Sequence, residues 1–367
     1  MRVTLLTNMV PPYRRHLLRE LGKVCQLSVL VCQDREADRD WPIAEAEAGL
    51  FTIRAVPGIT FVHRGNNMAS KHIRPAAFRM IADQRPEVAI VGDASWTSWL
   101  GQVGALAARI PVVAWNERPV WDAPRSPVKR LAMRFLFDSA ACHVVCGSAA
   151  ERFVTTLGGI RRPCFVAPDS VDPAPLDELT PVDRPPCRRL VCVSALLPRK
   201  CIDHLLLALA RPALAGWSAT MVGDGPERER LLALAKALGL GSRVSWTGSV
   251  APTSVGRHIT DADLLVLPSA SEPWGLVVNE ALARGVPVIA TRRCAAAIEL
   301  LSRFGAGLLI EPGDVDGLAA AILHVADDPD RLVHYRLRAR CFDQAAERRR
   351  EAEAFLAACR TAYDRKR

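Results

Sequence analysis

The sequence predicts two doubly wound α/β domains, and three observations carry that prediction. Short β-branched apolar runs alternate with helix-like segments along the whole chain, the pattern of parallel sheets with right-handed crossovers. The 367 residues suffice for two domains at roughly one per 150 residues. A proline-rich stretch, 163–186, separates the two runs of alternation and suits neither a central strand nor a long helix.

In the first half the strand-like runs fall at 2–7, 27–31, 88–91, 112–115, 143–146 and 164–167, with helical segments at 13–21 and 99–108 between some of them. The second half repeats the plan. Its strands are expected at 190–194, 218–222, 243–246, 264–267, 286–290 and 308–310, and its helices at 203–209, 227–238 and 277–283. An amphipathic helix near 348–363 ends the chain. The expected organisation is an N-terminal domain over 1–172, a linker over 173–187, a second domain over 188–345 and a terminal helix over 346–367. Doubly wound sheets bind ligands outside the carboxyl ends of their strands, so two of them predict a cleft there. Half the residues are hydrophobic and only 6% aromatic. Such a composition suits helices packed on buried parallel strands.

The formal net charge is +9, and residues 1–170 hold 22 Lys and Arg against 15 Asp and Glu. An acidic lipid surface, a phosphorylated acceptor or nucleic acid would each attract such an excess. No stretch resembles a nucleic-acid-binding module, so nucleic acid is not expected as a partner. The 11 cysteines are odd in number, lack a CxxC pair and fall partly inside apolar runs. They read as reduced thiols of a cytoplasmic chain. Cys142, His143 and Cys146 could suggest a metal, but CHVVC reads as a packed strand. No run of about 18 apolar residues could span a bilayer, and the start, MRVTLLTNMVPPYRR, does not read as a signal peptide.

The most informative stretch is SASEPWGLVVNEALARGVPVIAT, residues 269–291. A buried strand precedes it, Pro273 and Gly275 make a tight turn, and a helix starts near Leu276. The free backbone N–H groups at that helix start are a ready anion site. Glu272 stands just before the helix and Glu280 lies two turns into it. Two carboxylates flanking a phosphate site can hold hydroxyls on either side of it. An ordinary αβ unit with an exposed Glu would read the same way. After the second strand, Gly223, Asp224 and Gly225 form a turn that is not GxGxxG, so a dinucleotide is not indicated.

The spacing of Glu272 and Glu280, E-P-W-G-x4-E-A, resembles the E-x7-E signature of the retaining family-4 ("group 1") glycosyltransferases. The resemblance continues at SALLPRKCIDHLL (194–206), VGDGPERERL (222–231), VSWTGSV (244–250) and TNMVPPYRRHLL near the start. It covers nearly the whole chain in order. It implies the GT-B fold, two Rossmann-like domains facing a central cleft, with the C-terminal helix returning toward the N-terminal domain.

The resemblance also implies roles. Lys200 and Arg199 meet the diphosphate of a UDP-, GDP- or dTDP-sugar donor. Glu272 holds hydroxyls of the transferred sugar. Gly275, Leu276 and Val277 offer backbone N–H groups to sugar and diphosphate, and Glu280 holds the ribose. Gly223 either touches the donor or makes a plain turn. Fixed cations and N–H groups lower the barrier by meeting the charge that grows on the departing diphosphate. No cofactor or metal is expected. Tyr13 and Arg14, in a P-P-Y-R loop after the first strand, and Glu117, after PVVAW, are candidate acceptor-binding residues. Glu117 and Asp93 read equally as salt-bridged loop residues.

Three departures stand out. Ser194-Ala195 occupies a place where relatives often carry Gly-Arg, Cys201 replaces a common Gly, and no His ends PVVAW. They motivate a second class of reading, a nucleotide-sugar-binding protein without turnover; a GT-B epimerase or phosphorylase is a third. The acceptor is a sugar, a lipid-linked saccharide of cell-surface polysaccharide or glycolipid assembly, or a small secondary metabolite. The basic stretch SPVKRLAMRFLF, 126–137, reads either as a cover helix or as a weak peripheral contact with an anionic membrane surface at its cytoplasmic face.

Overall fold

The computed structural model describes residues 1–32, 46–64, 68–92, 95–171 and 179–365. The chain divides into two compact units. One is Met1–Asp172 with Ala345–Arg367, and the other is Pro173–Gln344.

The first unit is built on a seven-stranded parallel sheet. Its strands are β1 (Arg2–Thr7), β2 (Gln26–Val31), β3 (Phe51–Ala55), β6 (Val88–Val91), β7 (Val112–Asn116), β8 (Cys142–Val145) and β9 (Cys164–Val166), while β4 (Ile59–Arg64) and β5 (Met68–Ile73) form a separate antiparallel hairpin. The sheet order is β3-β2-β1-β6-β7-β8-β9. Strands such as VAIV and VVAWN are buried at every position, as both faces of a helix-covered parallel sheet require. The helices are α1 (Arg15–Val24), α2 (Ala77–Asp83), α3 (Trp96–Ala107), α4 (Pro127–Ser139) and α5 (Ser148–Leu157).

The second unit repeats the design with six parallel strands, β10 (Arg189–Val193), β11 (Ser218–Val222), β12 (Val244–Gly248), β13 (Leu264–Leu267), β14 (Val288–Thr291) and β15 (Gly307–Ile310). Their order is β12-β11-β10-β13-β14-β15. Its helices are α6 (Ile202–Leu209), α7 (Arg228–Ala237), α8 (Pro252–Thr260), α9 (Leu276–Ala283), α10 (Ala295–Phe304), α11 (Val315–Ala326) and α12 (Pro329–Ala339). The last helix, α13 (Gln344–Asp364), packs in the first unit: Phe355 meets Trp115 edge to face with ring centroids 5.2 Å apart, and Cys142 Sγ donates to the Ala358 carbonyl at 3.3 Å. Both sheets are doubly wound, so chain direction reverses beside β1 in the first unit and beside β10 in the second. Loops leaving adjacent strands diverge there and open a crevice at their carboxyl ends.

The expected elements are present with shifts of a few residues. Helix α3 starts at Trp96, three residues early, because Ser95 caps it by accepting from the Ser98 amide at 3.2 Å. The proline-rich stretch is no plain linker. Cys164–Val166 extends the sheet as β9, and Thr180 and Arg184 are fastened to the second unit through the carbonyls of Arg284 and Thr260. Residues 173–178 of the expected linker lie outside the described residues. So does Asp93.

His143, in β8, has both ring nitrogens buried and unpaired, and its ring stacks edge to face on Phe137. Burial pushes its pKa down to about 4. The unfolded chain then takes up this proton near pH 6.5 and the native chain only near 4, so stability is full above 6.5 and is lost as pH falls through that window. A drop of about 3 kcal/mol is expected on acidification from neutrality. His143→Leu should flatten this acid limb in urea unfolding followed at several pH values; an unchanged limb would clear His143 of the effect.

Candidate functional site

Strands β10 and β13 are neighbours at the reversal point of the second sheet. The loops leaving their carboxyl ends bring Lys200 and Glu272 together from 72 residues apart. Lys200 follows β10 in a single 3-10 turn, Pro198–Lys200, and is only 8% exposed. Its ammonium is ion-paired with Glu272 Oε2. Arg199 lies 3.7 Å from the same oxygen and donates to the Ser271 carbonyl at 3.1 Å. The pair Arg199-Lys200 is therefore not a solvated turn: both cations converge on one carboxylate.

Glu272 is held by its backbone as well. Its amide donates to the Arg293 carbonyl at 2.8 Å, it bridges to Cys294, and Ser269 Oγ reaches its carboxylate at 3.5 Å. Gly275 then caps α9 with φ at 99°, a left-handed conformation. A Cβ there would stand 2.8 Å from Cys294 Sγ and 3.0 Å from Glu272 Cγ, so only glycine fits. The amides of Gly275, Leu276 and Val277 make no hydrogen bond among the described residues and are half-exposed. They carry the partial positive charge of the helix start. Trp274 is locked behind this turn by a 3.0 Å bond from its indole N–H to Asn279 Oδ1.

Glu280 lies on the same helix. Part of the residue stays open to solvent, yet enclosure of its carboxyl pushes the pKa up to about 7, with Arg284 pulling the other way. The Arg284 guanidinium donates to the Glu280 backbone carbonyl, not to the carboxylate. No described residue pairs with that carboxylate, so its acceptor capacity is unused.

Gly223 turns the chain after β11 with φ at 129°, and a Cβ there would lie 2.1 Å from the Ser194 carbonyl oxygen. The glycine is thus demanded by close packing of this turn on the one after β10. Cys201 adopts φ 49° and ψ 42°. The left-handed region explains why a glycine suits the position; cysteine occupies it with a strain of about 1–2 kcal/mol.

In the first unit, Arg14 is 4% exposed. Its guanidinium is ion-paired with Glu117, with Asp169 at 2.9 Å and with Glu351 of α13 at 2.5 Å, and it lies 4.7 Å from the centre of the Trp115 ring. Ser170 Oγ donates to the other Glu351 oxygen at 2.6 Å, and His16 Nε2 lies 2.9 Å from it. Burial pushes Asp169 up to about 6 even with Arg14 pulling it down. Tyr13 lies beside this cluster, its ring 5.4 Å from the Arg14 guanidinium. Glu117 is a salt-bridged loop residue, as one of its two readings held. Asn116 ends β7 where some relatives carry a His, and its side chain donates to the Arg118 carbonyl at 3.0 Å.

Sequence reasoning missed Asp169, Glu351, His16 and Ser170. The signal for Glu351 was present. In the charge-rich run 347–362, Glu347 and Glu351 fall at helical spacing with Phe355, Cys359 and Ala362, on the face that is buried. Asp169 carried no signal, because its partner is remote in sequence. Among the described residues no group of three or more His, Cys, Asp or Glu is arranged to hold a metal ion.

Residues 186–348 match the family model for glycosyl transferases group 1. The GDP-mannose-dependent alpha-(1-6)-phosphatidylinositol monomannoside mannosyltransferase of Mycobacterium tuberculosis is 29% identical over 366 residues, spanning 90% of this chain and 91% of the relative. The lipopolysaccharide core biosynthesis glycosyltransferase LpsE of Rhizobium meliloti is 35% identical over 160 residues, 43% of this chain and 44% of LpsE. Among solved structures, Anabaena HepE in complex with UDP superposes with a TM-score of 0.72 at 19% identity, covering 97% of this chain and all of HepE, a likeness of fold. Residues 186–348, which contain Lys200, Glu272 and Glu280, are thus similar to the group 1 glycosyl transferases, and the chain has the GT-B fold.

Proposed function

We propose that the protein transfers a sugar from a nucleoside-diphosphate sugar to an acceptor hydroxyl with retention of configuration, in the assembly of a glycolipid or cell-surface polysaccharide. The observation that carries this reading is the convergence of Lys200, Arg199 and Glu272 beside the open start of α9. Without donor, Lys200 and Glu272 satisfy one another. A bound donor divides the pair: the diphosphate takes Lys200, Arg199 and the amides of Gly275 to Val277, and the sugar hydroxyls take Glu272. As the glycosidic bond breaks, negative charge grows on the diphosphate oxygen, and the two cations and the helix start already face it. As the acceptor oxygen bonds to the anomeric carbon, its proton passes to the departing diphosphate oxygen, which has gained the electron pair of the broken glycosidic bond. In this reading Glu272 accepts from the sugar hydroxyls and is not the nucleophile of a double displacement. The mannosyltransferase and LpsE relatives, named for phosphatidylinositol mannoside and lipopolysaccharide core synthesis, support a lipid-linked acceptor.

Incubation with a panel of UDP-, GDP- and dTDP-sugars, followed by mass spectrometry, tests the reading. Release of nucleoside diphosphate with one donor is expected. A chain that binds donor yet yields neither transfer nor hydrolysis would establish the second reading, a binding protein without turnover, which the departures at Ala195 and Cys201 motivate.

Glu280 is assigned to the ribose. Its loss should weaken nucleoside-diphosphate binding even without a sugar, since hydrogen bonds to a charged partner contribute about 1.5–3 kcal/mol each. The ionised carboxylate is the stronger acceptor, and it forms as pH rises through about 7. Affinity should therefore rise by up to about tenfold from pH 6 to 8 beyond any rise in Glu280→Gln, which carries the diphosphate's own titration. Calorimetry that finds the same affinity in Glu280→Ala as in the wild type would remove Glu280 from this role.

A further inference from the structure

Helix α4 has two apolar stripes and only one of them is buried. Met133, Leu136 and Phe137 face the core. Val128, Leu131 and Phe135, at i, i+3 and i+7, project from the opposite side and are 68%, 70% and 42% exposed. The stripe continues onto α3: Phe135 packs against Trp99 with centroids 6.0 Å apart, Trp99 meets Trp96 at 6.4 Å, and Trp96 is 54% exposed. Two hydrogen bonds join the two helices, a buried one from Gln102 Nε2 to the Leu136 carbonyl at 2.6 Å and a half-buried one to Ser139 Oγ at 2.8 Å. The surface is therefore a rigid platform.

A helix that is apolar on its outer face needs an apolar neighbour. The flanks of the stripe indicate which one. Lys129, Arg130 and Arg134 are exposed beside it, and Asp138, paired with Arg134 at 3.2 Å, is the only acid on the helix. Tryptophan, phenylalanine and leucine bordered by cations match the acyl boundary and anionic headgroups of a bilayer leaflet. No helix among the described residues is long and apolar enough to cross a membrane, so the contact lies in the interface plane.

We propose that the outer face of α4, with Trp96 and Trp99 of α3, is the docking surface by which this chain seats itself on an anionic lipid bilayer, through apolar insertion reinforced by Lys129, Arg130 and Arg134. The seat requires both components. A purely electrostatic contact would leave Leu131 and Phe135 without a role. The donor site is in the other unit, so the proposal stands apart from the donor reading.

The test is flotation of the full chain with vesicles of phosphatidylcholine containing about one third phosphatidylglycerol, at low and at physiological salt. Wild type should float and should keep a fraction bound as salt rises, since apolar insertion is not screened. The double variant Leu131→Ser, Phe135→Ser should lose partitioning by about tenfold or more. Changing Lys129, Arg130 and Arg134 to Gln should reduce binding to the anionic vesicles by a similar factor and leave the weak binding to pure phosphatidylcholine unchanged. The substituted side chains stand outside the core, so the fold and nucleoside-diphosphate binding should be kept, with melting temperature lowered only slightly by loss of the Phe135–Trp99 contact. Brominated lipid should also quench tryptophan fluorescence of the unsubstituted chain. Wild type that stays with the soluble fraction at low salt overturns the proposal, as does full flotation of the serine variant. A wild-type dimer that the serine variant converts to monomer would likewise overturn it, because a second copy would then be the occupant.

Discussion

Glu272→Gln should lower the transfer rate by about tenfold or more at saturating donor, equivalent to at least roughly 1.4 kcal/mol of barrier. Nucleoside diphosphate should bind as tightly as before, or more tightly. Both effects arise from the Lys200–Glu272 ion pair. In the free chain Glu272 holds the Lys200 ammonium, so the diphosphate must draw that cation away. A neutral amide of the same size still accepts one hydrogen bond from Lys200 but holds it less firmly, and the cation becomes easier to recruit. What is lost is the charged acceptor for sugar hydroxyls, whose bonds can tighten as the ring flattens toward an oxocarbenium-like transition state. Glutamine is the informative replacement. Alanine would strand a buried cation, and the misfolding that follows from about 3–5 kcal/mol of penalty would obscure the chemistry. Lys200→Ala leaves Glu272 with Arg199, 3.7 Å from the same oxygen, and should therefore fall mainly on turnover, with Arg199→Ala a smaller loss of the same kind. Single-turnover transfer with the donor found in the panel measures all three. Full activity in Glu272→Gln would discard its role at the sugar, and wild-type rates in both cation variants would move the anion site elsewhere.

The geometry around α9 that we propose for the donor was legible because it is local. Glu272, Gly275 and Glu280 lie within nine residues, and strand, turn and helix fix their geometry whatever the rest of the fold does. The pairing of Lys200 with Glu272 needs only the adjacency of β10 and β13, which follows from a doubly wound sheet. Hairpin β4–β5 was not legible: its strands, such as MASKHI, carry no apolar alternation. Cys201 was flagged as a departure, and only its left-handed backbone shows why glycine is the common residue. The second apolar stripe of α4 was visible as residues but not as a surface, because sequence periodicity cannot tell which stripe the core takes. Asp169 and Glu351 were the deepest miss. Neither was linked to Arg14, from which they stand 155 and 337 residues away in sequence.

That cluster supports the other large expected effect. Arg14→Met keeps roughly the length and apolar stem of the side chain and removes one buried cation, leaving Asp169 and Glu351 buried beside each other with no guanidinium between them. Stability of the first unit should fall by about 3–5 kcal/mol near pH 8, the scale for uncompensated buried charge. The loss should be smaller in mild acid. Asp169 is already raised to about 6 by burial while Arg14 pulls it down, so without Arg14 it rises further. A carboxyl whose native pKa exceeds its unfolded value binds more protons when folded, so its protonation favours the native state as pH falls toward the unfolded value near 4. His143 acts in the opposite sense over the same range, but it does so equally in wild type and variant. The quantity to measure is therefore the difference between the two proteins at each pH, from urea unfolding with hydrogen exchange at β1, β7 and α13 as the local readout. A difference of several kcal/mol near pH 8 that narrows by about 1 kcal/mol or more near pH 5 is expected. An equal difference at both pH values would mean that the loss is one of packing against Trp115, and a negligible difference would mean that the three carboxylates do not depend on Arg14.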